Sequence, residues 1–552
     1  PKGVGIYAAG YANWNISGDT EITGYNSAIE IRAGKMTIDG GTFTAKATEY
    51  SCIANGNGTT TTGAAIAVAQ HNTKLPISVE IKGTPTFNGI YDLSVTNPQG
   101  NNKDAISGET GVNVTINGEV KNLYVSTDFI LDRNVIRAKT TEEDSKYVAC
   151  LSDGRNFTTL KSAVDAVTDS GYITLLKDTT GSEVILIEDG AKNITIDLNG
   201  NNYSVNKKNA FKFGKGNKVA LKNGTVKSIY GFNAPSILIE NYCDLTLDSV
   251  YLDCSSVNYP AAGVLFCGYG KTIITGDTRI SNKVEERDSE GNPAKYVCKY
   301  SNMALSICNS FAYSYKEGVY VTFDENFTGK VTGYVNFELD KTNDYDGTEY
   351  KHSLIVGGNG DFSTARFCFS RVGGKSIFTM NGTPMLYIAD EADKYDKFPT
   401  TTNDAGVTTL DFAKAVVHNT ATDAIYEEFG RAVNDSSNGQ VLELQKDFDV
   451  QSSNATDFNK ESITIDLNGK RLGVDDSVSK EVLTIASGRL TIEDSSNDSG
   501  LLNKPIESFF KVSGGKLVIN GGTFNSDPAA YVDTNTHDIN KSAGTWTVTA
   551  KN

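Results

Sequence analysis

The chain has 552 residues, too many for one ordinary globular core at roughly 100–200 residues per domain, so it is either several domains or an elongated repeat array. Hydrophobic residues make up 39%, charged residues 21%, Gly 53 and Pro 11, which excludes both the polar signature of disorder and the Gly/Pro excess of collagen. Fifty-one Lys plus Arg against 67 Asp plus Glu leave a net charge of −16, with no long basic run for a nucleic acid and no run of 18 apolar residues for a membrane span.

Taken in chain order, the sequence opens at Pro1 without a charged-then-apolar leader, as expected of a processed or excised segment. Residues 31–43 (IRAGKMTIDGGTF) return near the end as residues 512–524 (VSGGKLVINGGTF), so the first and last parts share one structural unit. Residues 112–116 (VNVTI) alternate as a short strand, and the acidic stretch 139–146 reads as a joint. Next, Leu160, Ala163, Val164 and Val167 fall at i, i+3, i+4 and i+7, the stripe of an amphipathic helix. The heptapeptide ITIDLNG at 194–200 recurs at 463–469, an offset of 269 that also aligns Ala163-Val164 with Ala432-Val433, Leu175 with Leu444 and Lys177-Asp178 with Lys446-Asp447. One module is therefore duplicated.

Residues 218–226 run strand, bend and a second short strand, a corner between sheets rather than a hairpin. Asn-Gly occurs eleven times, and both residues tolerate the positive φ that such corners require. Stacked units of this kind pair every strand in parallel and place like on like in apolar columns. Between residues 230 and 350 stand 13 of the 26 Tyr, and residues 282–296 and 340–352 read as long insertions. The acidic stretch 389–409 fits a second joint, with residues 390–396 equally readable as a solvated face. A second helical stripe then sets Ile425, Phe429, Ala432 and Val433 on one face. The two helices are the only ones expected, each covering the open first rung of its module.

This order resembles the pectate-lyase-like β-helix modules of large surface proteins of gut anaerobes. The likeness rests on residues 147–149 (YVA), 157–167 (FTTLKSAVDAV), 173–178 (ITLLKD) and 194–200, and on the ending 521–532 with Trp546-Thr-Val548. It is strong over 147–226 and 416–552, moderate over 1–45 and weak over 230–400. The resemblance implies an all-β, right-handed parallel β-helix of several stacked modules with short capping helices. Modules are expected at 1–140, 141–415 and 416–552. It also implies an extracellular, cell-surface adhesin or stalk. Its partners would be host or microbial glycans or surface proteins, with further copies of the chain or neighbouring domains of a longer chain beside them.

The same fold houses polysaccharide lyases and polygalacturonases, so their patterns are the test for chemistry. Hydrolysis of that kind uses paired carboxylates, yet the only Asp-Asp is Asp475-Asp476 and no His adjoins a Gly. No Arg has Pro two positions on, so the lyase pattern is missing as well. The four His, at 71, 352, 418 and 537, read as isolated surface residues with no nucleophile beside them, and residues 344–349 read as an acidic turn rather than a calcium loop. The eight Cys form no CxxC pair and read as buried free thiols, with disulfides the alternative in an oxidising compartment. No enzymatic activity, metal or cofactor is expected. The alternatives are a carbohydrate-active enzyme whose acids come from different rungs, and a phage-fibre-like receptor-binding protein. Tyr offers a flat amphipathic contact surface, so Tyr300, Tyr313, Tyr315 and Tyr320 are the expected ligand-binding residues.

Overall fold

Short runs of β-formers punctuated by Asn, Asp and Gly give short strands, and the two ITIDLNG copies show how each strand ends. They form strands Asn193–Asp197 and Ser462–Asp466. Beyond each, the Asp carboxylate accepts the amide N–H two residues on: Asn199 N donates to Asp197 Oδ1 at 2.8 Å and Asn468 N to Asp466 Oδ1 at 2.9 Å. Asn199 and Gly200 then take φ of 51° and 79°, and Asn468 and Gly469 take 48° and 69°, the left-handed region these residues tolerate. The aligned Asp178 and Asp447 instead bond across strands, each accepting at 2.8 Å from the amide of a residue 24 positions on, Asn202 and Arg471 respectively.

The computed structural model is mostly β and describes residues 2–55, 59–71, 73–97, 111–231, 236–257, 262–283, 303–308, 318–338, 353–370, 377–381, 386–388, 400–402, 407–410, 416–421, 424–426, 429–450, 456–475, 481–496 and 500–551. It divides into two units, Pro1–Phe232 with Cys243–Asp253, and Asn233–Tyr242 with Cys254–Asn552.

In the first unit, strands Ile6–Ala8, Ser27–Ile31, Ala64–Ala69, Tyr91–Thr96 and Leu123–Val125 stack in parallel. Ile29, Ile66, Leu93 and Leu123 fall in one column, and Ile31, Val68, Val95 and Val125 in the next. A second parallel ladder, Asn13–Gly24, Gly34–Ala45, Ile77–Lys82 and Val112–Ile116, sets Ile38 on Ile81 and Ile81 on Ile116. Further along, Ile173, Ile196, Leu221 and Leu247 are in register. Strand Lys218–Ser228 pairs its first half with Asn193–Asp197 and its second with Asn202–Val205, so it turns the expected corner at Asn223-Gly224.

In the second unit the last module has three parallel ladders. Gln440–Leu444, Ser462–Asp466, Arg489–Glu493 and Lys516–Ile519 form one, with Leu442, Ile465, Ile492 and Ile519 in a single buried column. Phe448–Val450, Arg471–Val474, Leu501–Leu502 and Gly522–Phe524 form the second, and Thr456–Phe458, Leu483–Ile485 and Phe510–Val512 the third. Residues from all three ladders meet in one apolar core. Full burial of each such Ile or Leu contributes roughly 1.5–3 kcal/mol before chain entropy is counted.

Three expectations need correction. Pairing is not parallel throughout: antiparallel hairpins form at Ser51–Ala54 with Thr59–Thr62, Phe129–Asp132 with Val135–Ala138, Thr400–Thr402 with Val407–Leu410, and His537–Ser542 with Thr545–Ala550. The last of these lies against Gly522–Phe524 and covers a ladder edge that parallel stacking would leave open. The second helix is shorter than its stripe. It runs Phe429–Asp435 with Phe429, Ala432 and Val433 buried, while Ile425 belongs to strand Ala424–Tyr426. Pairing of Ala424–Tyr426 with Val417–Asn419 overrides helical spacing there.

The third correction concerns helix number. The helix expected over Leu160–Val167 is present but ends at Asp165, capped by Thr159 and burying Leu160, Ala163 and Val164, with Val167 buried beyond its end; Thr141–Lys146 and Ile506–Phe509 are helical too. The former buries nothing and so shows no apolar stripe. It is held by a capping box between Thr140 and Glu143, with Glu143 also paired to Arg137 at 2.9 Å. In the stretch read as the second joint, residues 400–402 and 407–409 are strand, and residues 390–396 lie outside the described residues.

Candidate functional site

Of the four expected contact residues, Tyr300, Tyr313 and Tyr315 lie outside the described residues. Tyr320 is half-buried on strand Val319–Phe323, in register between Lys271 and Ser353. Most of the two insertions, residues 344–349 and His352 lie outside as well. His71, His418 and His537 are half-buried rather than fully exposed. Cys52, Cys150 and Cys267 are free thiols, Cys150, Cys243, Cys254 and Cys267 are buried, and burial pushes Cys150 up to about 11 and Cys267 up to about 12. Among the described residues, no three of His, Cys, Asp and Glu converge on a point that could hold a metal.

The structure instead gathers side chains in the first unit that the linear sequence scatters. Opposite its apolar columns, the first ladder carries the row Tyr7, Glu30, Ala67, Ser94 and Tyr124, one residue from each strand. Its middle is small and wholly buried, with Ala67 and Ser94 at 0% exposure. Small residues there let the hairpin 51–62 settle on this face. Ser27 Oγ donates to Thr61 O at 3.0 Å and Cys52 Sγ lies 3.1 Å from Thr96 Oγ1.

At one end of the row the hairpin root builds an aromatic wall. Tyr50 packs against Tyr91 at 4.8 Å between ring centroids and against Tyr124 at 4.7 Å, while Tyr91 and Tyr124 are 5.4 Å apart. Tyr50 Oη and Ser94 Oγ are hydrogen-bonded at 2.8 Å. Beyond the wall, the Tyr172 hydroxyl donates to Asp197 and the Lys222 ammonium lies 5.1 Å over the Tyr172 ring. All four rings are half-buried. Burial raises all four phenols above their ordinary range, and the Asp197 carboxylate raises Tyr172 further. They remain neutral donors with partly open ring surfaces, suited to stacking and hydrogen bonding rather than to nucleophilic chemistry.

At the other end stands an ion pair. Arg32 Nη2 donates to Glu30 Oε1 at 2.5 Å, and each side chain is only 2% exposed. The Tyr7 ring, 51% exposed, lies with its centroid 5.2 Å from the Arg32 guanidinium carbon. Arg32 Nε and Nη1 are buried without a hydrogen-bond partner. Burial pushes the Glu30 carboxyl up to about 7, outweighing the pull of Arg32 in the other direction.

Neither end was visible as a motif. Tyr50, Tyr91, Tyr124 and Tyr172 are spread too thinly along the chain to form a motif, and only the tertiary structure brings them together. Glu30 and Arg32 left a fainter trace: two opposite charges at i and i+2, one in a mostly apolar strand and one just past its end. No protein-family model, no curated protein and no solved structure matches the chain.

Proposed function

We propose that the chain is a right-handed parallel β-helix from an extracellular, cell-surface adhesin or stalk, and that it binds glycan or protein ligands without catalysis. The buried column Leu442, Ile465, Ile492 and Ile519 carries the architectural half of this reading. Like residues recur at 23 to 27 positions in register, as expected when each turn of a solenoid stacks on the last. Right-handed crossovers follow from the rule for parallel strands. The helices Leu160–Asp165 and Phe429–Asp435 act as lids on the first rungs of the two duplicated modules. The binding half is supported by the half-exposed wall of Tyr50, Tyr91 and Tyr124 on a rigid ladder, where recognition residues hold their geometry.

The full chain should bind one or more members of a glycan and mucin panel and leave pectin and mucin glycans at their original length. Depolymerisation abolished by replacing two Asp or Glu from neighbouring rungs would overturn the non-catalytic reading in favour of a carbohydrate-active enzyme. Binding to no glycan, mucin or cell-surface protein would leave a stalk without adhesion.

A further inference from the structure

We propose that Arg32 is a recognition residue for a carboxylate, admitted when the Tyr7 ring turns aside. Three observations meet there. First, a guanidinium has five N–H donors, and on Arg32 those on Nε and Nη1 find no acceptor although the side chain is 2% exposed. Buried donors without partners are rare and costly, so their persistence points to an acceptor that binds from outside. Second, the Tyr7 ring over the guanidinium is 51% exposed, so a rotation of one surface side chain opens the path to the donors. Third, an Arg N–H makes a strong charge-assisted hydrogen bond to a carboxylate oxygen, and the adjoining aromatic ring suits the apolar face of a small acid or sugar.

Glu30 explains why the site is selective rather than simply cationic. It already takes one donor of Arg32, so an incoming anion meets a carboxyl beside it. Its in-register neighbours on the flanking strands are Tyr7 and Ala67, and Arg32 is the charged group that acts on it. Because burial favours its protonated form, Glu30 can take up a proton as the ligand carboxylate arrives and donate that O–H to the ligand's second oxygen. The site then holds one positive and one negative charge, as before binding. Affinity therefore strengthens as pH falls toward about 7 and levels off below it, where Glu30 already holds its proton.

The natural source of the carboxylate is either a free small acid or an acidic sugar on a glycan. Only the second of these rests on the glycan-binding reading above. The test titrates the full chain with sodium acetate, sodium glucuronate and the uncharged methyl ester of glucuronate at constant ionic strength, following tyrosine fluorescence and heat. Wild type should saturate with acetate and glucuronate and ignore the ester. Arg32→Gln should weaken both acids at least about tenfold, whereas Glu30→Gln, which removes the competing anion and keeps the guanidinium, should tighten them. Saturation by acetate alone assigns a free acid, and saturation by both assigns an acidic sugar. No saturable response in wild type, an unchanged affinity in Arg32→Gln, or weakened binding in a folded Glu30→Gln overturns the site. Should Arg32→Gln fail to fold, Glu30→Gln alone decides. Loss of this site with mucin binding intact would spare the adhesin reading.

Discussion

Glu30, on strand Ser27–Ile31, and Arg32, just beyond its end, stand two residues apart and meet at 2.5 Å where neither is more than 2% exposed. Burial of Glu30, which outweighs the pull of Arg32, makes folding of the first unit sensitive to pH. Glu30 titrates at about 7 when folded against an ordinary 4.5, so the folded state holds this proton more tightly than the unfolded one. Its stabilising contribution is complete below 4.5, declines as pH rises and is gone above about 7. It amounts to at most about 3 kcal/mol. Urea titrations from pH 4 to 8 should show wild type losing stability across this window and Glu30→Gln giving a flatter profile. Equal slopes would remove Glu30 as the cause.

Glu143 has the opposite sign. Its hydrogen bonds to the Arg137 guanidinium hold it down at about 2, so its contribution is present above about 4.5 and is lost as pH falls toward 2. The same carboxylate closes the capping box with Thr140. Thr140→Ala should lower stability by about 1 kcal/mol at neutral pH, read by urea denaturation. Unchanged stability would show that the helix Thr141–Lys146 needs no cap.

Ile465→Ala empties a place at 0% exposure between Leu442 and Ile492. The expected loss is about 2–5 kcal/mol by chemical denaturation. The matching Ile196→Ala, between Ile173 and Leu221, should lose a similar amount in the unit that contains it. A loss below about 1 kcal/mol at both sites would mean that the columns collapse freely and do not specify the register.

The half-buried Cys52 should alkylate first near neutral pH, while Cys150 and Cys267, with thiols pushed up to about 11 and 12 by burial, should react only on unfolding. Peptide mass spectrometry after a timed pulse separates the three. Labelling of Cys267 as fast as Cys52 in native protein would contradict its burial.

Phenolate absorbance should show Tyr50, Tyr91, Tyr124 and Tyr172 ionising above the ordinary tyrosine range. Tyr172→Phe should remove one high-range ionisation. A uniform titration near pH 10 in the folded protein would show the wall open to water.

Much of the local structure was legible because it depends on neighbours in sequence. ITIDLNG states its own strand, its Asp-capped turn and its left-handed Asn-Gly corner, so strands Asn193–Asp197 and Ser462–Asp466 fall where the heptapeptide puts them. The stripe at Leu160, Ala163 and Val164 likewise announces its helix. What depends on distant partners was not legible. Ile425 has helical spacing but is extended, since pairing with Val417–Asn419 satisfies its backbone better than one more helical turn. The hairpins that end the ladders look like any other strands until an unpaired edge is there to be covered. The aromatic wall and the Arg32 pair were hidden for the same reason. Sequence determined which residues point inward, through the period-two alternation of each strand. Only the tertiary structure decided which outward residues meet, because that depends on a register set by loop lengths between strands, and those lengths leave no periodic trace.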